Sequence, residues 1–197
     1  MKDVLRELAV QRWDDHRYYH HSRINQCLHL LSAVGFLVAY VLLFINPAAA
    51  AILGWCVSMT SRQAGHFFFE PRGYDEVNRV SDAYKEAVKV GYNIRRKVVL
   101  MAAWLLIPLV LWATTAGNGA PVGEFLHTLG MWWLALAVAG LLFRVAQLWA
   151  TQDLLTGLAW ALKILTDPFH DVALYYRAPL HLLRGELIDP MPHVRRR

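Results

Sequence analysis

Two cysteines in 197 residues are too few for a disulfide scaffold or a thiolate-bound metal cluster. Cys27 and Cys56 fall near the start and the middle of different apolar stretches, at depths that do not match for a bridge, and both read as packing residues. No glycine-rich phosphate loop is present, so nothing points to a bound nucleotide. No apolar run precedes Cys27, because residues 1–26 are charged throughout. A cleaved secretory signal is therefore not expected, and the first apolar stretch is predicted to be retained. Without an internal repeat or a low-complexity segment, residues 1–197 read as one domain.

What the chain does have is a membrane composition, 56% hydrophobic with eight tryptophans. Four stretches carry it, at about residues 28–45, 47–69, 98–116 and 125–147. The first holds eighteen residues without a formal charge, enough at ~1.5 Å per residue to cross most of a bilayer core of about 30 Å. The second is short unless it continues, buried in protein, through Gly65 and His66 to Phe69. Lys and Arg number five before the first stretch, eight across residues 62–97 and seven from residue 144 onward, with none between the first and second or the third and fourth. That asymmetry predicts both termini and the middle loop on the cytoplasmic side, with residues 46–47 and 117–123 as short turns opposite. A formal net charge of +5 spread in this way reports topology rather than a nucleic-acid surface, and no nucleic-acid partner is expected.

Between the stretches, residues 3–26 read as an interfacial helix feeding directly into the first span, with Trp13, Tyr18 and Tyr19 at headgroup level. Residues 75–97 read as a helix with acids early and bases late, and Val77, Val80, Tyr84, Val88 and Gly91 form one face. Residues 154–165 read as a further amphipathic helix stopped by Asp167-Pro168, and Ala178-Pro179 interrupts the C-terminal segment beyond it. The fold class predicted is all-α, an integral membrane four-helix bundle with cytoplasmic interfacial helices.

Eight of the nine histidines lie on the cytoplasmic side, His127 being the exception. On a continuous helix His21, Asn25 and His29 share a face, and His16 and His20 form a second four-spaced pair. One helix can present two imidazole ligands, although solvated interfacial histidines would look the same, and Asn25 could orient a ring. His66, in the last turn of a span, must be paired or functional. Glu70 lies one turn on, as a ligand, a hydrogen-bond anchor for an imidazole, or a partner of Arg62 or Arg72. His170 is a further candidate, with a loop histidine beside an acid as its plain reading. Imidazoles with at most one carboxylate suit iron, zinc or copper.

Two motifs resemble a known family. Tyr19-His20-His21 with Asn25 and His29 precedes the first span, and Gly65-His66-Phe67-Phe68-Phe69-Glu70 closes a later one. In order and in this membrane context they are similar to the 2-hydroxy fatty acid dioxygenases, small fungal and bacterial membrane proteins of iron-dependent fatty-acid alpha-oxidation. The likeness covers roughly residues 13–75. After Glu70 this chain departs from the family's basic residues and Pro-Ala, carrying Pro71-Arg72-Gly73-Tyr74-Asp75 instead. The family spacing selects His20 over His21, against the helical-face argument, and a break near Ser22-Arg23 would reconcile them. The resemblance implies Fe(II) held by His20, His29 and His66, with His170 as a fourth ligand left open and Asn25 and Glu70 supporting catalysis. Arg23, Arg62 or Arg72 would hold a substrate carboxylate. It further implies 2-hydroxy fatty acid and O2 as substrates and the bilayer as surroundings, with self-association left open. The rival readings are a non-catalytic membrane protein that binds lipid or a partner, and a b-type haem protein.

Overall fold

The structure is a computed structural model and describes residues 2–90, 94–114, 119 and 121–191. Among these residues the chain is helical, without a strand beyond the isolated bridges Ser22–Ile188 and Asp75–Val80. Gly91, Ala116, Gly117, His193 and the basic tail 195–197 lie outside the described residues.

Helix α1, Lys2–Tyr19, carries Asp3 in its first turn and His16 and Arg17 in its last, charges that suit the helix dipole. The expectation of a helix over residues 3–26 feeding directly into the first span is corrected, since α1 ends at Tyr19. The helix stops, His20 and His21 leave the helical path, and Ser22 starts α2, Arg23–Leu42, its side chain accepting from the Asn25 amide. The C-terminal segment clamps this break: Arg23 N donates to Leu187 O (2.9 Å) and Asp189 N donates to His21 O (2.7 Å).

Asn46 then caps α3, Pro47–Leu53, with Pro47 in the first turn where its missing N–H costs nothing. A π-helical turn, Gly54–Met59, leads without a break into α4, Thr60–Phe68. Such a turn holds one extra residue and shifts the register of the helix beyond it, a device common at functional sites. Helix α5 is only Asp82–Val88, so the helix expected over residues 75–97 is corrected. The Asp75 carboxylate accepts from the backbone of Val77 and Asn78, Arg79 takes a positive φ, and Ser81 caps the short helix. The early acid builds a turn rather than a helix start.

Helix α6, Ile94–Thr114, and α7, Val122–Thr151, form the apolar half of the molecule. At thirty residues α7 is about 45 Å long by the standard rise, longer than a bilayer core, and its inner part carries the buried Arg144, which donates to the Val90 carbonyl. Asp153 caps α8, Leu154–Tyr175, and α9 is Ala178–Leu183. The expected stop at Asp167-Pro168 is a second correction: α8 runs through Pro168, which is buried. Proline removes one helical donor, and in the turn it loosens, Tyr40 Oη donates to Leu165 O at 2.9 Å.

Among the described residues three helical segments, Arg23–Leu42, Lys97–Thr114 and Val122–Thr151, are long and apolar enough to cross a membrane. The run from α3 to α4 is not among them, since Ser58, Thr60, Ser61, Arg62, Gln63 and His66 make it polar. It packs inside instead. Ala51 and Trp55 form a core with Leu129 and Trp133, and Trp55 Nε1 donates to Trp133 O at 2.9 Å. Gly130 lets α3 and α7 touch: a Cβ there would stand 2.7 Å from Ala48 Cα.

Candidate metal centre

Three imidazoles from three places in the chain meet inside the bundle. His20 comes from the α1–α2 break, His29 from the second turn of α2, and His66 from the end of α4. Ring centroids lie 4.1 Å apart for His20–His29, 4.9 Å for His29–His66 and 5.6 Å for His20–His66. One nitrogen from each ring lies within 4.8 Å of the others, close enough for a single ion. All three residues are buried, and His29 is fully so.

The outer face of each ring meets an oxygen. His20 Nδ1 is 2.7 Å from the Tyr175 hydroxyl, His66 Nδ1 is 2.7 Å from Glu70 Oε2, and His29 Nδ1 is 3.5 Å from Asp171 Oδ2, just beyond hydrogen-bond range. These contacts favour the tautomer with the proton on Nδ1, leaving Nε2 as the donor atom toward the middle. Nε2 of both His20 and His29 is buried without a hydrogen-bond partner. Burial, and then the neighbouring His29, push the His20 imidazole well below its ordinary value, so it is neutral at pH 7 as a ligand must be. Two orphaned buried imidazole nitrogens facing a third ring are costly in an apolar interior, and a metal ion would satisfy them.

The break after Tyr19 decides between the adjacent histidines. His20 turns inward, whereas His21 Nε2 faces the Arg17 carbonyl and lies 3.8 Å from Asp75. Asn25 is fully buried, but its amide donates to Tyr19 O at 2.9 Å and contacts no histidine through a hydrogen bond. It holds the break that aims His20. Gly65 makes room for it: a Cβ there would overlap Asn25 Oδ1 and stand 3.5 Å from His29 Cδ2.

The other expected residues separate. His170 lies on α8, half-buried and outside the three-ring cluster. His16, the four-spaced neighbour of His20, shares the Tyr175 hydroxyl with it, at 3.1 Å. Arg23 pairs with Asp189 at 3.0 Å, and Arg72 is exposed with its guanidinium on the Phe67 carbonyl. Arg62 alone of the three arginines stays near the rings, 3.1 Å from Asp171.

Sequence reading missed the face of α8. Lys163, Asp167, Asp171 and Tyr175 recur every four residues and form one polar stripe. Lys163 bonds Asp167 (2.6 Å) and Asp15 (3.1 Å), and Arg12 bonds Asp167 (3.2 Å). Burial alone would raise the Asp15 carboxyl, but the Lys163 ammonium beside it holds it well below its usual range. The four-residue spacing was visible, but a helix ended at Pro168 hides it.

Beside His66 lies a partly open cavity of about 420 Å³, lined from α1, α2, α3, the π-helical turn, α4, α6, α7 and α8. Its walls are mostly apolar, with Phe36, Trp55, Leu134, Leu141 and Trp160 among them, and Arg62, Lys89, Lys97 and Lys163 are its cations. That volume suits one small amphiphile.

Against protein-family models, curated proteins and solved structures, the chain shows no match.

Proposed function

We propose that this protein is an integral membrane, Fe(II)-dependent dioxygenase that shortens 2-hydroxy fatty acids by one carbon with release of CO2. The observation that carries the reading is the inward-facing triad His20, His29 and His66, each backed on its outer nitrogen by Tyr175, Asp171 or Glu70. The adjoining apolar cavity supports a lipid substrate, and the motif resemblance supplies the reaction class. The four-helix bundle takes α2, α6 and α7 as spans and the α3–π–α4 run as a fourth, protein-buried crossing, with both termini and the triad at the cytoplasmic end.

The reaction balances without a further reductant: RCH(OH)COOH + O2 gives RCOOH + CO2 + H2O, and oxygen accepts all four electrons. Bound to the three imidazoles, Fe(II) would supply open positions for a chelating hydroxy acid and for O2. The chain's own residues do the rest. Glu70 and Tyr175 keep the rings of His66 and His20 oriented, and the burial of all three histidines excludes water. The cavity takes the alkyl chain and brings its polar end to His66. A haem is disfavoured, because rings with centroids at 4.1 Å leave no gap for a macrocycle.

Elemental analysis of the purified protein, with an absorption spectrum, tests the metal, and turnover of a 2-hydroxy fatty acid under 18O2 tests the reaction. One iron per chain, lost in His66→Ala together with CO2 release, is the expected result. Iron-free protein with no turnover would leave a lipid-binding protein.

A further inference from the structure

Four cations line the cavity, and three of them are satisfied by protein acids. Arg62 is held by Asp171 at 3.1 Å and Asp167 at 3.6 Å. Lys163 is held by Asp167 and Asp15. Lys89 reaches Glu70 at 2.7 Å and Glu86 at 3.3 Å, and lies 3.8 Å over the Tyr19 ring. The cavity's own acids are matched too, Asp14 with Arg17 at 2.6 Å and Asp15 with Lys163.

Lys97 differs. It is only 7% exposed, and its ammonium comes no closer than 3.9 Å to a carboxylate, Glu70 Oε2, an oxygen already engaged at 2.7 Å by His66 Nδ1. Among the described residues it has no hydrogen-bonded acceptor, so this largely buried ammonium is paired less well than the other three cations, and poor pairing costs more beside apolar walls than in water. A charge kept under this penalty, lining a cavity with apolar walls, is suited to an anion that enters with an alkyl chain.

We propose that Lys97 is the anchor for the carboxylate of a single-chain amphiphile, whose tail lies along the apolar wall formed by Trp55, Leu134, Leu141 and Trp160. Because Lys97 and His66 share Glu70, on the outer Nδ1 side of that ring, the anchored head lies near His66. A neutral head of the same length would leave Lys97 with only the distant Glu70 carboxylate. This deepens the reading of the cavity as a substrate site, yet the anchoring itself needs no metal.

The test uses the full chain in phosphatidylcholine nanodiscs, with and without chelator treatment. Tail-brominated tetradecanoate and the matching alcohol are titrated, with tryptophan quenching as the signal. Metal-free wild type is expected to prefer the carboxylate about tenfold or more, the weight of a charge-assisted hydrogen bond. Lys97→Met should abolish that preference and leave alcohol binding unchanged, which also shows that the variant is folded; Lys97→Arg should keep much of it. A preference that survives Lys97→Met overturns the proposal, as does a wild type that binds neither ligand. A preference that appears only with metal present also overturns it while leaving the iron reading intact. Iron-free protein that still shows a Lys97-dependent preference upholds the anchor without the dioxygenase.

Discussion

Replacing Gly65 by alanine tests the packing that builds the triad. The added Cβ would overlap Asn25 Oδ1 and lie 3.2 Å from Asn25 Cγ, so the amide must retreat by about 1 Å to restore van der Waals separation. Asn25 has no free space, since it is fully buried and tied to Tyr19 O by a 2.9 Å hydrogen bond. Breaking that bond in the interior costs about 1–3 kcal/mol. Overpacking adds roughly 1–3 kcal/mol more. The expected loss of about 2–6 kcal/mol is a large share of a typical stability of about 5–15 kcal/mol. The Tyr19 carbonyl lies next to His20, and the new methyl also faces His29, so metal affinity should fall about 10- to 100-fold. Thermal unfolding and metal stoichiometry in one detergent measure both effects. A double-mutant cycle with Asn25→Ala isolates the clash: Gly65→Ala should cost at least about 1 kcal/mol less once the amide is gone. Wild-type stability and full metal loading in Gly65→Ala, or strict additivity in the cycle, would refute the close approach.

Tyr175→Phe should leave the helical spectrum unchanged and weaken metal binding about 10- to 100-fold, because it removes the oxygen that orients His20; a competition titration with a chelator reads it. Arg62→Leu strips Asp167 and Asp171 of a buried partner and should destabilise by about 3–5 kcal/mol, whereas Arg72→Ala, on the surface, should stay within about 0.5 kcal/mol; equal effects in denaturant titrations would contradict the pairing. Asp189 gives a pH dependence. Burial raises its carboxyl, but the Gln26 hydrogen bond, the Met191 amide and Arg23 outweigh burial and hold it below its ordinary value. The unfolded chain then binds the proton more readily, so Asp189 contributes its full stability above the ordinary carboxylate range and loses it as pH falls through and below that range. The melting-point gap between wild type and Asp189→Asn should narrow from pH 7 toward pH 3, and a constant gap would exclude the linkage.

Much of the helical content was legible because long apolar runs broken by turns leave few alternatives: Asn46-Pro47 marks the turn between α2 and α3, and the amphipathic run from Leu154 opens α8. The errors came where local signals conflict with tertiary context. Pro168 looks like a stop, yet a buried helix with Tyr40 beside it tolerates the missing donor. Asp75 looks like the start of a helix, yet its carboxylate prefers the nearby backbone of Val77 and Asn78. Lys97 attracted no notice as one base among eight in residues 62–97.

The sequence by itself determined a helical chain with apolar stretches of membrane-spanning length, and a small set of histidines in its polar segments and at the ends of those stretches. Periodicity and composition suffice for that, since both act over neighbouring residues. Which histidines converge was decided only by tertiary structure. The C-terminal segment clamps the break that turns His20 inward, Gly65 admits Asn25, and α8 brings Asp171 and Tyr175 to the rings. Each of these contacts joins residues more than thirty positions apart, and no local pattern encodes a distance in space between residues so remote in the chain.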